Sequence, residues 1–194
     1  KLLEIAESGG NQAERTKWMR EIVAADASAG TQRTDRMRYL AAKAQLALAE
    51  PSRDAFLGTR LVAPLEASLK TKQARMEEAL AAYGKAADYG VAEVTTAANY
   101  ELAELYHALS RDLFASERPA ELTEQELEQY DILLEEQAFP FEEEAIELHE
   151  VNAARTAEGW YDEWVRKSLI QLAALVPVRY AKAEMGEGVV DAIR

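Results

Sequence analysis

The chain has 194 residues, a net charge of −13 and no Cys, and 48 % of it is hydrophobic with Ala the dominant apolar type. A field of that sign repels nucleic acid and anionic lipid, so neither is expected as a partner. The missing Cys excludes disulfides, thiolate metal sites and thiol nucleophiles, and no apolar run approaches the length of a bilayer-spanning helix, which argues against direct membrane insertion.

With only nine Gly and five Pro, the composition favours helix almost throughout, and the length suits one domain. The sequence opens Lys1-Leu2-Leu3-Glu4 without an initiator Met, so a fragment of a longer protein is expected. Asn11 or a neighbour starts a first helix carrying Trp18, Met19, Ile22 and Val23, ending near Gly30. Thr34 and Asp35 open a second through Met37, Leu40, Ala41, Ala44 and Leu48, interrupted at Pro51. Pro51-Ser52 and the stretch from Gly58 to Pro64 punctuate the chain before a third helix, about Leu65 to Tyr89, that stops at Gly90. Thr95 or Thr96 is a ready N-cap for a helix to about Ser116.

Glu117-Arg118-Pro119 breaks the chain again. Thr123 and Glu126 have capping-box spacing and open a short helix with Leu127, Tyr130, Leu133 and Leu134. Phe139-Pro140-Phe141 then starts another, with Glu142 to Glu144 at the positive end of its dipole. It runs to about Glu158, and Gly159 makes the corner. A last helix carries Trp160, Trp164, Leu169, Leu172 and Leu175 and stops near Pro177. Residues 178–194, with Gly186-Glu187-Gly188, read as a tail. No stretch sustains period-two alternation, so no sheet is expected and the fold class is all-α.

Two linked spacings shape the middle of the chain. Ala79, Tyr83 and Ala86 lie at i, i+4 and i+7 of one helix, and Leu102, Ala103 and Tyr106 at i, i+1 and i+4 of the next. Small residues let two helix axes approach, and the aromatic fills the space between turns. These residues resemble the tetratricopeptide repeats, antiparallel helical hairpins whose second helix carries Ala, an aromatic and Ala, and whose first carries Leu, a small residue and Tyr. Leu148, Val151 and Asn152, with the Gly159-Trp160-Tyr161 corner and Pro177, form a weaker match. There Trp164 replaces a small residue, Ser168 an aromatic and Arg155 a Tyr. The resemblance covers residues 64–177, residues 1–60 carry amphipathic helices without a repeat motif, and an acidic helix interrupts the period.

The resemblance implies a stack of helical hairpins in a right-handed superhelix, similar to degenerate adaptors of the bacterial cell envelope. A protein–protein interaction scaffold in a periplasmic assembly is the function implied. The alternatives are a spacer module whose ends make the contacts, and a cytoplasmic location. In such hairpins the first helices line a concave groove. That register places Ala97, Tyr100, Glu104 and His107 on the groove, with Ile146, His149 and Ala153 on the corresponding line of a later helix. A basic clamp for a terminal carboxylate is not expected at these positions.

Charge is unevenly spread: residues 117–150 sum to −12 with thirteen acidic side chains against one basic. Glu135, Glu136, Glu142 and Glu143 in this segment are candidates for contact with a protein partner that has a basic surface. Catalytic and metal chemistry find little support. His149-Glu150 begins like a zinc-protease signature, but position 153 is Ala and the second His is missing. With two His in all, no metal or cofactor site is expected, and no nucleophile–base pair is apparent.

Overall fold

A computed structural model describes residues 11–181. All regular structure in it is helical, with no strand among the described residues. Among the described residues seven α-helices follow one another: α1 (Gln12–Ser28), α2 (Asp35–Leu57), α3 (Leu65–Ala87), α4 (Ala92–Phe114), α5 (Glu124–Ala154), α6 (Glu163–Leu175) and α7 (Pro177–Tyr180). Short 3-10 turns at Gly30–Gln32 and Arg155–Glu158 finish the chain reversals.

Several helix starts follow from local chemistry. Asn11 Oδ1 accepts the Glu14 N–H and Thr34 Oγ1 accepts the Met37 N–H, each satisfying an orphan donor of a first turn. Thr123 and Glu126 close a reciprocal capping box at the start of α5. Gly90 and Gly159 adopt left-handed backbone, φ +64° and +79°, which lets the chain reverse where a Cβ would be strained.

Five expectations are corrected. Pro51 lies inside α2 rather than ending it. Pro140 likewise lies inside α5, so the two helices expected on either side of it are one 31-residue helix. A mid-helix Pro costs about 3 kcal/mol, but a continuous buried face on both sides of it outweighs that penalty. In α2 that face includes Ala49 and Phe56, and in α5 it includes Ala138, Ala145 and Asn152. The N-cap of α4 is Val91, not Thr95 or Thr96, and Trp160 precedes α6 instead of belonging to it. Of the expected tail, Val178 to Tyr180 belong to α7, whereas Gly186-Glu187-Gly188 lies outside the described residues.

Each helix packs on its sequence neighbour, and α2 also packs on α4, and α4 on α6. α1 and α3, or α3 and α5, do not pack on each other to a comparable extent. The even helices thus form an inner row, with α1, α3 and α5 outside it, an arrangement compatible with a helical repeat. Ala79, Tyr83 and Ala86 of α3 and Ala103 of α4 are all buried in the seams between helices.

One buried cation ties three helices together. Lys72 is 0 % exposed. Its Nζ donates to Thr59 O at 2.7 Å and Phe56 O at 3.2 Å, and meets Asp112 Oδ2 of α4 at 2.7 Å. Three donors therefore meet three acceptors around the C-terminal end of α2, where the helix dipole favours a positive charge.

Candidate functional site

The inner row leaves a cavity of about 280 Å³ between α2 and α4. Arg53 and Leu57 line it from α2, and Tyr100, Glu101, Glu104, His107 and Arg111 from α4. Tyr100, Glu104, His107 and Arg111 recur every three to four residues, so successive turns present them to the same side. Three residues expected on the groove, Tyr100, Glu104 and His107, therefore line one cavity.

The cavity carries both signs of charge. Arg53 Nη1 donates to Glu101 Oε2 at 3.1 Å, and its Nε and Nη2 donate to Asp54 Oδ1. Burial works against the guanidinium charge, but Tyr83, Glu101 and Asp54 outweigh it and raise the Arg53 pKa. Burial together with the Glu101 carboxylate pushes the Tyr83 phenol up in turn, and its hydroxyl has no hydrogen-bond partner. Arg111 is exposed and forms no ion pair among the described residues. Two arginines thus border a groove where no basic clamp was expected. Arg111 follows His107 by four residues and was legible on the same line. Arg53 sits in a segment without a repeat motif and left no signal.

On the α6 side the groove is filled. The Tyr100 ring lies 5.5 Å from both the His149 and Trp164 rings, tilted to each. The Lys167 ammonium sits 4.1 Å from the centre of the Trp164 ring, a cation–π contact. Burial raises the Tyr100 pKa, and the nearby Glu104 carboxylate adds to it.

His149 is not on the groove surface. It is 0 % exposed, and the fusion of two expected helices into α5 explains why. One helix fewer reverses the parity of inner and outer positions, so α5 belongs to the outer row and turns His149 inward. There His149 joins a buried polar chain. Glu104 Oε1 lies 3.5 Å from His149 Nε2, and His149 Nδ1 lies 3.2 Å from Ser168 Oγ. Asn152 Nδ2 donates to Ser168 Oγ and to Thr96 O, and Asn99 Nδ2 donates to Asn152 Oδ1. Ser168 Oγ accepts from Asn152 and pairs with His149 Nδ1, whereas His149 Nε2 and Glu104 Oε1, though facing each other, make no hydrogen bond. The order carboxylate, imidazole, hydroxyl is that of a hydrolytic triad, but Ser168 is 0 % exposed and offers no approach to an acyl group. The chain joins α4, α5 and α6 as packing.

Asp162 anchors the same corner. Its carboxylate accepts from Thr96 Oγ1 at 2.6 Å and from Trp160 Nε1, Trp164 N and Val165 N at 2.9 Å each. Burial alone would raise its pKa, but these four donors outweigh burial and hold it below the usual carboxylate range.

The remaining candidates lie on α5, whose 31 residues include eleven acidic side chains and no Lys or Arg. Glu135, Glu136 and Glu143 are exposed and Glu142 is half-buried, and none of the four forms an ion pair among the described residues. Because α5 is continuous through Pro140, Glu142 to Glu144 lie mid-helix rather than at a helix N-terminus. No group of three His, Asp or Glu among the described residues is arranged to hold a metal ion.

No family model matches the chain, and no curated protein or solved structure matches it significantly.

Proposed function

We propose that this chain is a protein-binding module built as a degenerate tetratricopeptide-like superhelix, serving as a scaffold in a bacterial envelope assembly. The observation that carries the reading is the inner-row cavity, where Arg53 of α2 faces Glu101 of α4, with Tyr100, Glu104, His107 and Arg111 along the same wall of α4. A short polar segment of a partner finds donors, acceptors and an aromatic face there. The carboxylates of α5 draw a basic partner surface toward the module and speed encounter at low salt. The envelope location rests on the tetratricopeptide resemblance alone, and fractionation of the producing cells tests it.

The binding reading is tested with a photo-cross-linking residue at position 107 of the intact protein in its own cells, with the same residue at exposed Gln12 as reference. A partner trapped from position 107 and not from position 12 supports the cavity. Its affinity should then fall at least tenfold on Arg111→Glu, and its association rate should fall when Glu135, Glu136, Glu142 and Glu143 become Gln. Binding indifferent to all these changes refutes the reading. The spacer reading has one observation in its favour, the filling of the groove by Trp164 and Lys167 against Tyr100. It requires that no partner be trapped from position 107.

A further inference from the structure

A second depression lies on the opposite side of α4, between the outer helices α3 and α5. It encloses about 240 Å³ and is lined by Leu65 and Leu69 of α3, Leu113 of α4, and Tyr130, Leu133 and Phe141 of α5. Leu133 is 56 % exposed although it faces this apolar wall, so its side chain stands largely uncovered beside partly buried Leu65, Leu69, Tyr130 and Phe141. Tyr106, two turns before Leu113 on α4, is partly buried against the same core cluster as Leu65, Leu69 and Phe141. Burial raises the Tyr106 pKa and the Glu144 carboxylate of α5 adds to it.

The rim is acidic. Glu136 and Glu144 of α5 and Glu66 and Glu77 of α3 are exposed, against Lys70 of α3 and Arg118, whose guanidinium lies 6.0 Å from the Tyr130 ring and is neutralised by Asp131 at 2.6 Å. A second copy of the chain would bring another strongly acidic α5 against this rim, and anionic lipid or nucleic acid is repelled in the same way. The α3 wall runs from Leu65 to Gln73 and the α5 wall from Tyr130 to Phe141, about 12 and 16 Å of helix. That length suits about three turns of an occupant helix with apolar anchors at i, i+3 or i+4, and i+7. We infer that the α3–α5 groove docks a basic amphipathic helix of a protein partner, its leucine-type anchors between Leu69 and Leu133 and its Lys and Arg against the rim.

The test uses the full chain and a fluorescein-labelled synthetic helix of eighteen residues, with Leu on one face and Lys and Arg on the other. Two reference peptides accompany it, one with Leu replaced by Ser at unchanged charge and one with Lys and Arg replaced by Glu. Anisotropy should show binding of the first peptide that weakens with salt, and at least tenfold weaker binding of both references. Leu133→Glu should lower affinity at least tenfold even though it adds an attractive charge. Ile132→Glu, which adds the same charge on the far side of α5, should change it less than twofold. Leu133 and Ile132 are both exposed, so circular dichroism should show both variants folded. Equal binding by the Ser-face peptide, or by Leu133→Glu, overturns the inference, because attraction would then come from the acidic helix without the groove. Loss of binding on Arg111→Glu with none on Leu133→Glu would put the peptide in the α2–α4 cavity, overturning this site while leaving the proposed function standing. Sedimentation showing a dimer that Leu133→Glu dissociates would make a second copy the occupant and overturn it as well.

Discussion

Replacing Lys72 by Met removes a buried charge while keeping an unbranched stem of similar length in the same space. The ammonium loses a 2.7 Å bond to Thr59 O, a 3.2 Å bond to Phe56 O and a 2.7 Å contact with Asp112. Phe56 O keeps the Thr59 N–H as a donor, so the loss falls on Thr59 O and Asp112. Removing one member of a buried ion pair costs about 3–5 kcal/mol. The Asp112 side chain is 34 % exposed and returns to water, which lowers the expectation for Lys72→Met to about 2–3 kcal/mol. With a urea slope of about 2 kcal/mol/M, the unfolding midpoint should fall by about 1–1.5 M at unchanged slope. Asp112→Asn should cost about 1 kcal/mol alone and almost nothing once Lys72 is Met, because the pair is already broken. A Lys72→Met midpoint within 0.2 M of the parent would refute the reasoning, since the ammonium would then contribute no more net stability than an apolar stem.

Asp162→Ala should lower the melting temperature at pH 7, because α4, the Trp160 corner and α6 lose a shared acceptor and α6 its cap. The native pKa lies below the ordinary value of 3.8, so this stabilisation is present above that value and disappears as pH falls through the native pKa. Melts from pH 7 to pH 2.5 should show the two proteins converging at the acid end. Ala103→Leu should overpack a site that is 0 % exposed and cost about 1–3 kcal/mol by denaturant titration; an unchanged midpoint would mean the seam is loose. Asn152→Ala strips donors from Thr96 O and Ser168 Oγ and should cost about 1–3 kcal/mol in the same assay.

Helix was legible wherever an apolar stripe and a capping side chain agreed, as at Asn11, Thr34 and Thr123. The seams at Ala79, Tyr83, Ala86 and Ala103 were legible because small-residue spacing states directly which face can be approached. Both misplaced breaks came from Pro. Reading Pro51 and Pro140 as boundaries weighs one lost hydrogen bond and ignores the long face buried against neighbouring helices, which local sequence does not display. The error at Pro140 then propagated, because one helix too many moved His149 from the outer row to the inner and from the core to the groove. Tyr100, Glu104 and His107 escaped it because they precede the break. Arg53 was invisible for another reason: it reaches the cavity by the crossing of α2 over α4, a long-range contact that nothing within α2 announces.

The buried polar chain has a consequence for alignment. Alanine-lined seams are permissive, because rows of methyl groups one turn apart look alike and a helix shifted by about 5.4 Å would bury nearly the same apolar area. Asn152, His149 and Ser168 remove that degeneracy. Shifted by a turn, they would lose these partners for side chains such as Trp164 and Leu172 of α6, and each stranded donor or acceptor would cost about 1–3 kcal/mol. The network therefore acts less as glue than as a key with one seating, rejecting slipped arrangements that hydrophobic burial alone would accept. The position of α6 against Tyr100, and with it the open length of the α2–α4 cavity, is set by polar atoms that never reach solvent.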